Sequence, residues 1–281
     1  MKEKLHKPLF LFKLLGFFLF LLGIHRVIFL ILFIAQFSDV SFIEFVKAFL
    51  IGTLTDAISI IYFLLPMWLV LLLFNIENKI VKFVSLLMFL FGFTILCILN
   101  LADLGYYPIT KKRMGAELLD LLPETKSLFG SYLKDYWYLL VLLILFIVCA
   151  FLVFKKMLYK YKNSEQKPAQ KLLNATVVIL LFVVIMRGGF SERPFMPFDI
   201  PSVVNPKLQW LASNTPFQFL HTLEDETIKI ENYYDELEAE KIIGFEKSAS
   251  NREFKKKNIL FIILESFSSE RIGILNPSIK G

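Results

Sequence analysis

Cysteine and histidine, the side chains that most often bind transition metals or form disulfides, are scarce in this sequence. The 281 residues include two cysteines and three histidines. Both cysteines, Cys97 and Cys149, lie inside long apolar runs, and no Cys-x-x-Cys or Cys/His spacing is present. The sequence therefore excludes a zinc site of the Cys/His type, and we expect both cysteines to act as small, buried apolar side chains. No tandem repeat or low-complexity tract is visible, which excludes a repeat architecture.

Long apolar runs, in contrast, dominate the sequence. Hydrophobic residues make up 56% of the chain, and 31 residues are phenylalanine. A run of about 20 apolar residues is long enough to cross the hydrocarbon core of a membrane as a helix. The pattern predicts a polytopic α-helical membrane protein with five transmembrane helices, in the runs 14–37, 50–74, 81–102, 137–154 and 172–186. The first run is too long for a signal-peptide core, so we expect it to stay uncleaved.

The basic residues indicate how these helices are oriented. The net charge is +6, but the lysines cluster in short segments between apolar runs, which points to membrane orientation and away from nucleic-acid binding. Four lysines precede or begin the first run, and the loop between the fourth and fifth runs holds six lysines and one acid, Glu165. Both segments are therefore expected in the cytoplasm, and everything after Arg187 outside it.

The sequence after the last run has a different composition. Five prolines fall between positions 194 and 216, a density that precludes long helices and is typical of a semi-rigid connector. We expect a transmembrane domain at 1–187, an extracytoplasmic linker with short helices at 188–257, and the start of another domain at 258–281.

Helical patterns also occur outside the five runs. In the segment 103–136 an interfacial helix on the outer face is predicted from Met114, Leu118, Leu119, Leu121 and Leu122, with a plain ordered loop as the alternative. A short amphipathic helix is expected to begin near Thr215, which can act as its cap, with Pro216 at its first position. Its apolar face would carry Phe217, Leu220 and Leu223, and 231–243 is a second, acidic helix candidate.

The stretch with the most chemical information is 258–269. Six apolar residues, 259–264, follow a polar, basic segment and are themselves followed by Glu265 and several serines. Such a run is typical of a buried parallel strand, and ligands of open α/β sheets bind beyond the carboxyl ends of the strands. Glu265 is thus a candidate ligand of a metal or substrate; the alternative is a solvated loop residue or a neighbour of a helix cap.

The stretch Asn-Ile-Leu-Phe-Ile-Ile-Leu-Glu-Ser-Phe-Ser, 258–268, resembles the first strand of the catalytic domain in the lipoteichoic acid synthase-like family. These are phosphoglycerol transferases of the alkaline phosphatase/sulfatase superfamily, embedded in the bacterial cytoplasmic membrane. The resemblance implies that Glu265 binds a catalytic divalent metal, manganese or alternatively magnesium or zinc. It also implies a phosphatidylglycerol-type donor lipid and an α/β sulfatase-like domain outside the cytoplasm, with the N-terminus of the chain inside and its C-terminus outside.

The chain departs from the family pattern at the reacting group. In the family a downstream threonine attacks the donor phosphorus, and the serines at 266, 268 and 269 are too close to Glu265 to take that role. We therefore assign no catalytic nucleophile. The catalytic domain is expected to be truncated and not to retain its metal. Residues 1–281 alone are expected to be inactive. A phosphoethanolamine transferase or sulfatase relative is an alternative, and a non-catalytic membrane module that binds lipid or a partner is another. The oligomeric state stays open.

Four charged residues are expected inside the membrane or at its outer half: Arg26, Asp56, Asp103 and Arg187. Charges within a bilayer are unfavourable and usually face a bundle interior or a cavity. From their positions in the first two runs, Arg26 and Asp56 are expected at similar depth and therefore paired. Together the four residues could line a pocket for a lipid phosphate headgroup. The alternative is a set of salt bridges that only holds the bundle together.

Overall fold

A computed structural model describes residues 3–37, 40–119, 134–163 and 167–223, together with positions 235, 238 and 242. The chain divides into two units, Met1–Glu226 and Thr227–Gly281. The helices described below all belong to the first unit. The predicted strand at 258–264, Glu265 and the acidic helix candidate other than positions 235, 238 and 242 lie outside the described residues.

The described part of the chain is mostly helical, as the apolar runs predict. Its long helices are α1 (Lys7–Phe33), α2 (Phe42–Phe63), α3 (Leu65–Leu73), α4 (Lys79–Thr110), α5 (Trp137–Lys160) and α6 (Pro168–Arg187). Five segments are long and apolar enough to cross a membrane: Lys7–Phe37, Phe42–Phe63, Lys79–Thr110, Trp137–Lys160 and Ala169–Arg187. The prediction of a helical protein with five possible membrane spans is therefore confirmed for the described residues.

The second apolar run differs most from its predicted course. Its helix begins at Phe42, eight residues earlier than the hydrophobic pattern suggests, because Ser41 and Glu44 form a capping box at its start. The backbone N–H of Ser41 donates to Glu44 at 3.0 Å. The run is then interrupted at Leu64, and Pro66 lies in the first turn of α3. Proline has no N–H to donate to the preceding turn, so the second run forms two helices instead of one.

The third apolar run continues further than predicted. Helix α4 ends at Thr110 with Pro108 inside it, and Lys111 closes it in the left-handed conformation with φ of 58°. The first part of the segment 103–136, in which the interfacial helix is predicted, therefore belongs to α4, whereas the apolar positions of that helix follow it. Met114 is buried, Leu118 is half-buried and Leu119 is exposed. Leu121 and Leu122 lie outside the described residues.

Short strands and side-chain contacts identify the two ends of the bundle. At one end, β1 (Glu3–Leu5) pairs in parallel with β2 (Tyr161–Asn163), so the N-terminal segment lies beside the loop that follows α5. At the other end, the amide of Asn205 donates to Glu44 at 2.8 Å, which joins the segment after α6 to the start of α2. The two basic segments thus share one end, as the charge pattern predicts, and the connector lies at the other.

The bundle contains two apolar cores. The first, near the β1–β2 end, is rich in aromatic rings, and Phe18 packs against Phe89, Phe93, Phe154 and Trp68 with ring centroids 5.4 to 6.0 Å apart. The second combines residues of the long helices with residues of the connector, including Phe29, Ile58, Leu104, Leu211 and Phe217. The connector is therefore part of the folded bundle and not a loop lying over it.

Three short helices of the connector make these contacts: α7 (Ile200–Val203), α8 (Gln209–Ala212) and α9 (Thr215–Thr222). Helix α9 is the one predicted near Thr215, but Asn214 caps it, accepting a hydrogen bond from the backbone N–H of Phe217 at 2.7 Å. Phe217 is fully buried, whereas Leu223 is 47% exposed, so the predicted apolar face is shorter than expected.

Candidate functional site

The ion pair expected between Arg26 and Asp56 is present in the structure. Arg26 lies in α1 and Asp56 in α2, and the Arg26 Nη2 to Asp56 Oδ1 distance is 2.6 Å. A second hydrogen bond, from Arg26 Nε to Asp56 Oδ2, measures 3.3 Å. Both residues are 3% exposed. This is a buried, two-point pair of the kind that fixes the relative position of two helices.

Arg26 also binds the connector. Its Nη1 donates to the backbone carbonyls of Leu211 and, at 3.0 Å, of Ser213. Its Nη2 donates to the carbonyl of Gly52 at 2.7 Å. A guanidinium has five N–H donors, and these contacts together with the Asp56 pair engage all five. Arg26 consequently has no donor left for a lipid phosphate.

The partner carboxylate is held from the connector as well. The side-chain amide of Asn214 donates to Asp56 Oδ1 at 2.6 Å. The amide oxygen of Asn214 accepts from the Ser59 hydroxyl at 3.0 Å and from the Phe217 N–H at 2.7 Å. One connector residue therefore caps α9 and compensates a buried charge of α2 at the same time.

A second buried pair, between Asp103 and Arg113, binds the same part of the connector. The Arg113 Nη1 to Asp103 Oδ2 distance is 2.5 Å, and the two side chains are 1% and 0% exposed. Asp103 also accepts from the backbone N–H of Met114 at 3.0 Å. Arg113 Nε donates to the carbonyl of Trp210 at 2.8 Å, and its guanidinium lies 3.5 Å above the ring of Phe29.

Four consecutive carbonyl groups of the connector, from Trp210 to Ser213, thus accept hydrogen bonds from the bundle. Their donors are Arg113, Arg26, the Thr55 hydroxyl and again Arg26. The last carbonyls of a helix have no partners within it and carry partial negative charge. Two buried cations and a hydroxyl donate to these carbonyls here, so the partial negative charge at the end of α8 is compensated. We call this set of contacts the carbonyl clamp.

Arg187 is not part of the carbonyl clamp. It is exposed at the end of α6, where its guanidinium donates to the backbone carbonyls of Ser191, at 3.0 Å, and of Glu192. The structure therefore brings Arg26 together with Asp56, and Asp103 together with Arg113, but it gives Arg187 a separate, local role. For Arg26 and Asp56 the geometry favours the salt-bridge alternative over the headgroup pocket.

Sequence reasoning missed Gly52, Thr55 and Ser59, which contact Arg26 or the connector. Together with the predicted Asp56 they are spaced as one face of a helix, and this small and polar stripe in an apolar run was a usable signal. Arg113 gave no such signal, because it follows two exposed lysines and looks like an ordinary basic residue at a membrane surface.

Gly52 provides a sharp test of the clamp. A Cβ atom added there would lie 2.4 Å from Arg26 Cζ. Because Arg26 is held by the five hydrogen bonds that it donates, it cannot move aside freely, and Gly52→Ala should lower the free energy of unfolding by about 1–3 kcal/mol. Gly23→Ala is the matched control, because nothing lies within 4 Å of a Cβ at that position. Equal stability of the two variants, measured by denaturation in mixed micelles, would contradict a fixed Arg26.

Metal-ligating residues do not cluster in the described part of the chain, where no group of three or more His, Cys, Asp or Glu side chains could hold an ion. Glu265, the candidate metal ligand, lies outside the described residues. The candidate site is therefore described without distances or contacts of Glu265.

Comparison with known proteins gave no match to this chain among protein families, curated proteins or solved structures.

Proposed function

We propose that this chain is the membrane-embedded part of an enzyme related to the phosphoglycerol transferases and sulfatases. In this proposal the enzyme acts on lipid-linked phosphodiesters, with a phosphatidylglycerol-type donor, at the outer face of the bacterial cytoplasmic membrane. The carbonyl clamp is the observation that supports it best. The chain leaves α9 from a connector fixed by two buried ion pairs, so the linker toward a domain that follows would begin from a defined point of the bundle.

A defined starting point matters for a lipid donor. The scissile phosphodiester of a phospholipid stays at the depth of the headgroups, and catalysis requires the reacting groups to be held in a narrow range of positions. In the proposal, Glu265 provides one carboxylate ligand for a divalent ion, manganese or else magnesium or zinc. When bound, that ion would polarise the phosphoryl oxygens.

A non-catalytic membrane module that binds lipid or a partner is the second candidate. It is favoured by the completeness of the clamp, because Arg26 and Asp56 are fully satisfied by the chain itself and need no substrate.

A relative that transfers phosphoethanolamine or hydrolyses sulfate esters is distinguished from the first candidate by its nucleophile.

The DNA that follows the codon of Gly281 tests these candidates. The enzymatic proposal expects sequence there, in frame or after a frameshift, that encodes a threonine nucleophile and further Asp and His ligands. A cysteine or serine within a sulfatase modification motif would favour the sulfatase relative. Unrelated sequence in all frames would contradict the enzymatic proposal and favour the membrane module.

Activity of residues 1–281 gives a second, biochemical prediction. Incubated with phosphatidylglycerol and Mn²⁺, the purified chain should release no diacylglycerol above the level of protein-free vesicles, because Glu265 is the only one of the implied site residues it contains. Thin-layer chromatography of radiolabelled lipid measures this. Metal-dependent release that disappears in Glu265→Gln would show that the nucleophile lies within residues 1–281.

Membrane sidedness gives a third prediction, tested in a background of Cys97→Ser and Cys149→Ser. A membrane-impermeant maleimide added to intact cells should label Ser191→Cys, in the exposed turn after α6. It should label Lys162→Cys, in β2, only after the cells are opened, because the basic segments are retained inside. The reverse labelling pattern would contradict the proposed orientation.

A further inference from the structure

A cavity of about 460 Å³ lies at the end of the bundle that contains β1 and β2. The first turn of α1, the end of α3 with the turn after it, and the start of α6 form its walls. Arg26, at the clamp, lies 19 residues along α1 from Lys7, which lines this cavity. That separation corresponds to roughly 29 Å of helix. The cavity is therefore distant from the connector and from the proposed catalytic face.

Two lysines, Lys7 and Lys171, line this cavity, and no acidic side chain is among the lining residues that the structure describes. Two cations that share a small space repel one another unless an anion lies between them. The side chain of Lys7 is fixed in place, since its Nζ donates to the carbonyls of Leu72 at 2.7 Å and Phe74 at 2.8 Å. An ammonium has three N–H donors, so one donor of Lys7 is not used by these two carbonyls.

The other walls are mainly apolar. Leu73 and Leu172, which are 67% and 71% exposed, line the cavity where it opens to the surface of the bundle. Tyr161 adds a phenol whose pKa is raised to about 12, by burial first and then by the negative charge of Glu77, so the hydroxyl keeps its proton. A site with two cations and apolar walls at the end of a membrane bundle matches a phosphate group attached to an apolar molecule.

We propose that this cavity binds a phosphate group, carried by the headgroup of an anionic phospholipid or by a soluble phosphate ester. Lys7 and Lys171 bind its oxygens through charge-assisted hydrogen bonds, and the apolar walls contact the glycerol and the first methylenes of a lipid. The proposal does not depend on the proposed enzymatic function, because it concerns the opposite end of the bundle.

Titration of the detergent-purified full chain with short-chain phosphatidylglycerol, followed by native mass spectrometry, tests the site. We expect Lys171→Gln to raise the dissociation constant about tenfold, which corresponds to about 1.4 kcal/mol, because the variant loses a charge-assisted hydrogen bond to the phosphate. Lys156→Gln is the matched control: it removes the same charge from an exposed position of α5 and should leave affinity unchanged. Lys7→Gln should also weaken binding, but Lys171→Gln carries the test because Lys7 in addition holds the end of α3.

Two further ligands identify the source of the phosphate. If a lipid is bound, phosphatidylcholine, whose headgroup is neutral overall, should bind more weakly than phosphatidylglycerol, and glycerol 3-phosphate should compete poorly. If a soluble ester is bound, glycerol 3-phosphate should bind by itself and lose affinity in Lys171→Gln. Either result supports a phosphate site. Equal losses in Lys171→Gln and Lys156→Gln, or no loss for either ligand in Lys171→Gln, would overturn it.

Discussion

Replacing Asp56 by leucine should lower the free energy of unfolding by about 3–5 kcal/mol, the usual effect of removing one partner from a buried ion pair. The substitution leaves the Arg26 guanidinium, which is 3% exposed, without its counter-ion and also removes the acceptor of the Asn214 amide. Arg26→Leu should be similarly damaging, because the carbonyls of Leu211, Ser213 and Gly52 lose the hydrogen bonds that Arg26 donates.

The double variant Arg26→Leu/Asp56→Leu should be milder than either single change, because it removes both charges and leaves none unpaired in an apolar bundle. Unfolding in mixed micelles of a mild detergent and sodium dodecyl sulfate gives the four free energies of the cycle. Arg193 and Asp199 form a control pair of the same residue types, with side chains 57% and 20% exposed. The coupling energy measured in that control cycle should be about 0–1 kcal/mol. Independent effects of Arg26→Leu and Asp56→Leu would refute a direct pairing.

Arg113→Met should lower the free energy of unfolding by a comparable amount, about 3–5 kcal/mol, for a partly different reason. The variant leaves Asp103 buried and charged, with the Met114 N–H as its remaining donor among the described residues, and it removes the donor to the carbonyl of Trp210. The packing of the guanidinium on Phe29 is lost too. We therefore expect both lower global stability and faster amide exchange in α8 and α9, measured by hydrogen–deuterium exchange with mass spectrometry.

Lys112→Met is the matched control for Arg113→Met. Lys112 is the adjacent residue, and its ion pair with Glu117 is largely solvent-accessible, at 51% and 35% side-chain exposure. Its loss should change stability by no more than about 0.5 kcal/mol. Faster exchange in the connector for Lys112→Met, or unchanged exchange for Arg113→Met, would contradict the carbonyl clamp.

The sequence was sufficient to predict those parts of the fold that depend on hydrophobic length and on charge. Runs of apolar residues located the five segments that are long and apolar enough to span a membrane, because only a helix satisfies its own backbone over such a length in lipid. The pairing of Arg26 with Asp56 also followed from the sequence, since two opposite charges in neighbouring apolar helices have few other ways to be compensated.

The docking of the connector could not be predicted in the same way. Arg26 and Arg113 bind backbone carbonyls of residues 210, 211 and 213, and a carbonyl acceptor has no signature in the amino-acid sequence because every residue provides one. The break at Leu64 was visible in principle through Pro66, but proline in an apolar run is also compatible with a kinked, continuous helix.

The separation in sequence between Arg26 and its carbonyl acceptors has a consequence for biosynthesis. Ser213 follows Arg26 by 187 residues. At a synthesis rate of about 5–20 residues per second, it emerges from the ribosome roughly 10–40 s later. During that interval the Asp56 carboxylate is the main group that balances the positive charge of Arg26, whose helix is already made. Newly made helices α1 and α2 must therefore associate early as a provisional pair, and the bundle reaches its final state only after the segment beyond α6 has been synthesised and has docked.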